Sequence, residues 1–257
     1  MADAQIVVAV PGSFNPPHLA HLALLRAGIR AVGADGAVFV LSARTVDKEV
    51  VSGMLLEDRL WLLCGLMDDV ARDDVGESAG VSLRVDVTGE THGRASGVSL
   101  GVVVTNRGLY VDQAAALHRL CPRARRVVFV IGFDKIVQIL DGRYYEDREA
   151  TLDRLFAQAG FLVAPRDDSS AADLAALLDR PENRRYAVGV QGLVLDEALA
   201  SVSSTDARAA AAGGRTQVAA LPERVARFLT ATGCYSAPDG RGPYARRVSE
   251  LAAIALG

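Results

Sequence analysis

The chain has 257 residues, half of them hydrophobic, enough to bury a large core, roughly three quarters of its unfolded surface by the size trend. A formal net charge of −3 and a pI near 5.8 argue against a nucleic-acid or anionic-membrane partner and favour small anionic substrates. Cys64, Cys121 and Cys234 form no metal-type pair, no run reaches membrane-spanning length and no basic leader opens the chain, so the expected setting is the reducing cytoplasm.

The β-branched run Ile6 to Val10 predicts a buried parallel strand, and Gly12 is expected to permit the tight turn that follows. Pro16 and Pro17 fix the next loop. From Leu19 the apolar residues fall at helical spacing (Leu22, Leu25, Ile29, Val32), which sets His18 at a helix start and His21 in its first turn. Both imidazoles then approach one spot at a helix N-terminus, where free N–H groups and the dipole suit a phosphate.

Ala37 to Leu41 predicts a second buried strand, giving a β–α–β start with a right-handed crossover. Lys48 lies in the polar loop after it, at the carboxyl end where open α/β sheets bind ligands. Leu55 to Val70 predicts an amphipathic helix with Arg59 near its start and Trp61 as core packing. Asp68 to Gly101 has one expected strand, Val81 to Val87, and His92 is expected in a loop. A strand from Val102 to Thr105 and a helix from Val111 to Leu120 precede Arg126 to Ile131, a clear strand running into Gly132-Phe133-Asp134. Asp134 is expected beside the opening loop, as a ligand contact, a helix N-cap or both. Helices at Glu149 to Gln158 and Ala171 to Leu178, a strand at Phe161 to Ala164 with Arg166 at its edge, and a last strand at Tyr186 to Val190 complete a Rossmann-like α/β domain with a central parallel sheet.

Val202-Ser203-Ser204-Thr205-Asp206-Ala207-Arg208 opens another helix, because consecutive hydroxyl residues are capping types and an alanine run follows. Hydroxyls, backbone N–H groups and the Arg208 guanidinium are expected to converge on an anion. The domain is expected over residues 1–237. Residues 238–257 read as a linker and an amphipathic helix, which docks on its own domain or on a second subunit of a homo-oligomer.

The segment from Gly12 to His21 resembles the first motif of the nucleotidylyltransferase superfamily, Gly-x-Phe-x-Pro-x-His-x-Gly-His, with Ala20 in place of the last glycine. Val202 to Arg208 resembles the second, Ile-Ser-Ser-Thr-x-x-Arg. Gly132-x-Asp134 and Leu221-Pro222-x-x-Val225 with Tyr235 are similar to further segments of the nicotinamide or nicotinate mononucleotide adenylyltransferase group. The resemblance implies transfer of AMP from ATP to a pyridine mononucleotide, with pyrophosphate released and Mg²⁺ carried on the phosphates. It implies that His18, His21 and Arg208 are catalytic. Gly12, Ser13, Phe14, Gly132, Asp134, Ser203, Ser204 and Thr205 would hold the nucleotide, Lys48 and Arg59 the acceptor, and no protein residue a metal. Animal members stack the pyridine ring on a mid-chain tryptophan; here the only tryptophan is Trp61, so Phe133, Tyr110, Tyr144 and Tyr145 are the alternative faces. Cytidylyl or adenylyl transfer to another phosphorylated metabolite, and a silent nucleotide-binding protein, are the competing expectations.

Overall fold

The computed structural model describes residues 1–43, 53–75, 84–85, 91–95, 97–165, 169–195, 202–215 and 220–235, together with Tyr244 and Arg246. Among the described residues eight strands form one sheet, in the order β3 (Arg84–Val85), β4 (Thr91–Ala95), β5, β2, β1, β6, β7, β8. Six of them are parallel: β1 (Ile6–Gly12), β2 (Gly36–Ser42), β5 (Val98–Thr105), β6 (Arg126–Gly132), β7 (Ala159–Ala164) and β8 (Val190–Gly192). The chain builds outward from β1 to β2 and β5, then returns to the other side of β1 with β6. The carboxyl ends of β1 and β6 therefore flank the point where strand order reverses, the usual ligand crevice of such sheets.

Side-chain alternation along β1 divides the interior in two. Val8 and Val10 face a core closed by α1 (Leu19–Val32), α2 (Leu56–Val75), α7 (Ser204–Ala212) and α8 (Glu223–Thr232). Val7 and Ala9 face the other, closed by α3 (Tyr110–Leu120), α4 (Phe133–Leu140), α5 (Arg148–Gln158) and α6 (Ala171–Asp179). Helix α1 lies tight against the sheet because Gly28 has no side chain: a Cβ there would stand 2.6 Å from a Val130 methyl and 3.1 Å from one of Val8. The carboxylate of Asp35 accepts the backbone N–H groups of Gln5 (2.9 Å) and Ile6 (2.8 Å), fixing the β2 entrance to the start of β1. No helix among the described residues is long and apolar enough to cross a membrane.

Several elements differ from the sequence reading. Within Val81 to Val87 the strand β3 comprises Arg84–Val85, and His92 belongs to a strand, β4 (Thr91–Ala95), not a loop. The hairpin β4–β5 is antiparallel and turns at Gly97, whose φ of 86° suits glycine alone. Trp61 is not core: it is 56% exposed. The buried face of α2 is taken by Leu62, Leu63, Leu66, Met67 and Val70, which turns Trp61 outward against Phe228 and the Arg224 guanidinium. Residues Arg184–Gly189 form a 3-10 turn instead of a strand. Tyr186 plugs its ring against Phe156 at 4.9 Å and its hydroxyl meets Asp153, which a strand would not permit, and β8 starts only at Val190. Lys48, Arg166 and the tail helix apart from Tyr244 and Arg246 lie outside the described residues.

Candidate active site

Strand β1 ends at Gly12 and α1 begins at Leu19; the six residues between them build the centre of the site. The backbone position that needs the left-handed region is Phe14 (φ 49°), not Gly12 as the turn pattern predicts. Gly12 contributes differently. A Cβ there would sit 3.2 Å from the Phe14 ring, so its absence lets that ring fold back and bury fully, edge-on to Phe39 at 5.1 Å. The Asn15–Pro16 peptide bond is cis.

His18 is the N-cap of α1 and His21 its third residue, as the spacing predicts. The His18 backbone N–H donates to Nδ1 of His21 at 3.1 Å, one arm of a capping box. A neutral His21 therefore carries its proton on Nε2 and presents it as a donor. The two imidazoles stack with centroids 3.7 Å apart, and Phe14 meets the His21 ring edge-on at 4.7 Å. His18 is buried and His21 half-buried.

The second motif arrives from the far end of the chain. Ser203 caps α7, its hydroxyl accepting the Asp206 N–H (3.1 Å) and donating to the Asp206 carboxylate (2.6 Å). Ser204 donates its hydroxyl to the Pro16 carbonyl (3.1 Å), and Arg208 donates to the Asn15 carbonyl (2.7 Å) and to the Thr205 hydroxyl (3.0 Å). Those bonds use two of the five guanidinium N–H donors. The helix N-terminus of α7 is thereby fastened beside the His18 and His21 loop.

Arg59 does not stand out toward a ligand. It is 4% exposed, and its guanidinium donates to the Ser13 carbonyl (2.7 Å) and the Leu55 carbonyl (3.4 Å); burial lowers its pKa, yet an arginine stays charged. Asp134 is not an N-cap: Gly132 holds that position of α4, and Asp134 sits exposed in the first turn, 3.8 Å from Lys135. Across the switch point it follows β6 as the histidine loop follows β1. Of the candidate ring faces, Tyr110 is committed to an aromatic cluster with Phe129 and Phe161, and burial raises its phenol pKa, with Asp134 adding to the rise. Tyr145 donates its hydroxyl to Ile139 O, and burial pushes its pKa up to about 12. Phe133 and Tyr144 remain half-buried.

What sequence reasoning missed is the support behind the loop. Asn15, 4% exposed, accepts at Oδ1 from the Tyr235 hydroxyl (2.5 Å) and from Met54 N (3.4 Å). The asparagine inside the first motif was the available signal, since a buried amide needs partners. A cleft of about 690 Å³ also runs along α3, opening at Ala43 and Thr105 to Arg107 beside the carboxyl ends of β2 and β5. Among the described residues no group of three or more His, Cys, Asp or Glu gathers as a metal cage.

Residues 9–210 match the family described as cytidylyltransferase-like. A Gloeobacter violaceus protein named as a nicotinate-nucleotide adenylyltransferase is 27% identical over 89% of this chain and 95% of its own. A Schizosaccharomyces pombe protein named as a nicotinamide mononucleotide adenylyltransferase is 24% identical over 70% of this chain and 61% of its own. In fold, the chain is similar to the Plasmodium falciparum nicotinic acid mononucleotide adenylyltransferase solved with NaAD, with a TM-score of 0.57 at 13% identity over 90% and 97% of the two chains. The match spans both sequence motifs and most of the sheet, and the chain belongs to the cytidylyltransferase-like family.

Proposed function

We propose that this protein transfers the adenylyl group of ATP to nicotinate or nicotinamide mononucleotide, forming a dinucleotide and releasing pyrophosphate. The observation that carries the reading is the bond from Arg208 to the Asn15 carbonyl, which closes the second motif onto the first and gathers imidazoles, helix N-termini and a guanidinium at one crevice. The names of the two relatives supply the acceptor class.

An oxygen of the acceptor phosphate attacks the α-phosphorus of ATP; the bond from that phosphorus to the bridging oxygen breaks, and pyrophosphate leaves with the electron pair. No protein nucleophile is needed, and such transfers are served by alignment and charge stabilisation. His21 donates from Nε2 to the α-phosphate, with His18 stacked behind it at 3.7 Å to hold the ring. Gly12, Ser13 and Phe14 shape the backbone against which the nucleotide lies. The first-turn N–H groups of Ser204 and Thr205, the Ser203 end of α7 and Arg208 take the β- and γ-phosphates. Gly132 allows close approach to the crevice and Asp134 faces a ribose hydroxyl. Lys48 serves the acceptor phosphate, whereas Arg59 acts through Ser13. The imidazole, hydroxyl and guanidinium donors around the loop suit phosphate oxygens and not a cation, so Mg²⁺ would be held by the triphosphate itself and would supply charge neutralisation there.

Incubation with Mg²⁺ and ATP or CTP, against nicotinate mononucleotide, nicotinamide mononucleotide or no acceptor, tests the reading by chromatography of the product. A dinucleotide formed from ATP and a pyridine mononucleotide is expected. Product from CTP with another acceptor, and none with either pyridine, would replace it.

A further inference from the structure

Two tyrosines that support the nucleotide loop, one directly and one through the start of α2, lie after residue 210, where the family match ends. Tyr235, just past α8, donates its hydroxyl to Oδ1 of the buried Asn15. Tyr244, 6% exposed, donates to the buried carboxylate of Asp58 at 2.6 Å and accepts the Leu55 backbone N–H at 2.6 Å. Leu55 precedes α2 and has no side chain able to cap it. The Tyr244 hydroxyl does so from a distance of 189 residues, with Asp58 completing the arrangement one turn into the helix. The next residue, Arg59, donates to the Ser13 carbonyl. Two chains of contact thus reach the loop from the C-terminal segment: Tyr235 to Asn15 directly, and Tyr244 through the start of α2 and Arg59 to Ser13.

The residues they hold flank Phe14, whose left-handed backbone is uncommon for an aromatic residue, and whose ring sets the edge contact to His21. A loop in that conformation persists where its surroundings over-determine it. From these contacts we infer that the C-terminal segment is a clamp on the nucleotide loop, and that Tyr235 is a positioning residue that keeps His21 in register for the transfer without touching substrate. The inference deepens the adenylyl-transfer reading and rests on it for its kinetic test.

Tyr235→Phe removes one hydroxyl and keeps the ring. Four readouts are taken on the full chain: the thermal midpoint, kcat, KM for ATP, and the imidazole proton resonances of His18 and His21, which feel the ring currents of each other and of Phe14. The expected result is a fall in kcat of about tenfold, the scale of one hydrogen bond to a buried group, at a near-unchanged KM. The midpoint stays within a few degrees, and the two histidine resonances shift toward those of an exposed imidazole. Wild-type resonances with kcat within about twofold would overturn the clamp, since a tenfold loss corresponds to only one such bond. So would a kcat loss matched by loss of folded protein. If the wild-type chain makes no dinucleotide, the functional reading fails, while the histidine resonances still decide the clamp.

Discussion

His21 carries the sharpest consequence at the scale of single residues. With Nδ1 taken by the His18 N–H, a neutral His21 carries its proton on Nε2. His21→Ala should lower turnover by roughly a hundredfold to a thousandfold, the range for losing one donor to a transition-state oxyanion, with an unchanged circular dichroism spectrum. Near-normal turnover would remove His21 from the mechanism. Asp35 gives a prediction about stability. Burial works against its ionisation, but the N–H groups of Gln5 and Ile6 outweigh that and hold its carboxyl below the usual range. A depressed folded-state pKa stabilises the protein above the unfolded value and loses that contribution as pH falls through the folded one. Asp35→Asn should therefore melt lower than wild type at neutral pH, and the gap should close on acidification below about pH 4, where an unperturbed aspartate takes up its proton. A gap that widens in acid would contradict the assignment.

Elements extend the same reasoning to packing. Gly28 lets α1 approach β1 and β6, so Gly28→Ala should destabilise by about 1–3 kcal/mol, the usual cost of overpacking a dense core, measured by urea denaturation. Tyr244→Phe removes the hydroxyl that caps α2 and should cost about 1 kcal/mol in the same measurement. These elements also show what a sequence displays. The strand β1, the helix α1 and the capping of α7 by Ser203 were legible because each has a local signature: a β-branched run, helical apolar spacing, a hydroxyl before a helix. Trp61 was misread because large aromatic side chains are usually buried and the leucines around it hide which of them face inward. The turn at Arg184–Gly189 alternates like a strand, and only the docking of Tyr186 on α5 makes it helical. Strand β4 emerges from a Gly- and Ser-rich stretch with no period, so its pairing with β5 had no local trace.

For the whole molecule, the two motifs meet across a separation of 193 residues, and their order along the chain gives no distance between them. Resemblance supplied the pairing, and the bond from Arg208 to Asn15 gives it a physical basis. The partners of Tyr235 and Tyr244 were not legible in the residues, although Tyr235 itself carries part of the resemblance, because a tyrosine hydroxyl chooses its partner only after folding. Domain and site are thus one construction: the parallel sheet places β1 and β6 side by side, and the last helices close over the loop that follows β1. In the proposed reaction this crevice moves an adenylyl group to a pyridine mononucleotide. The most direct measurement follows ATP labelled at the α-phosphate, with Mg²⁺, in the presence and absence of nicotinate mononucleotide. Label is expected in a dinucleotide, formed in equal amount with pyrophosphate and only when the acceptor is present. ATP that binds but keeps all of its label, with nicotinate and with nicotinamide mononucleotide alike, would contradict the proposed reaction.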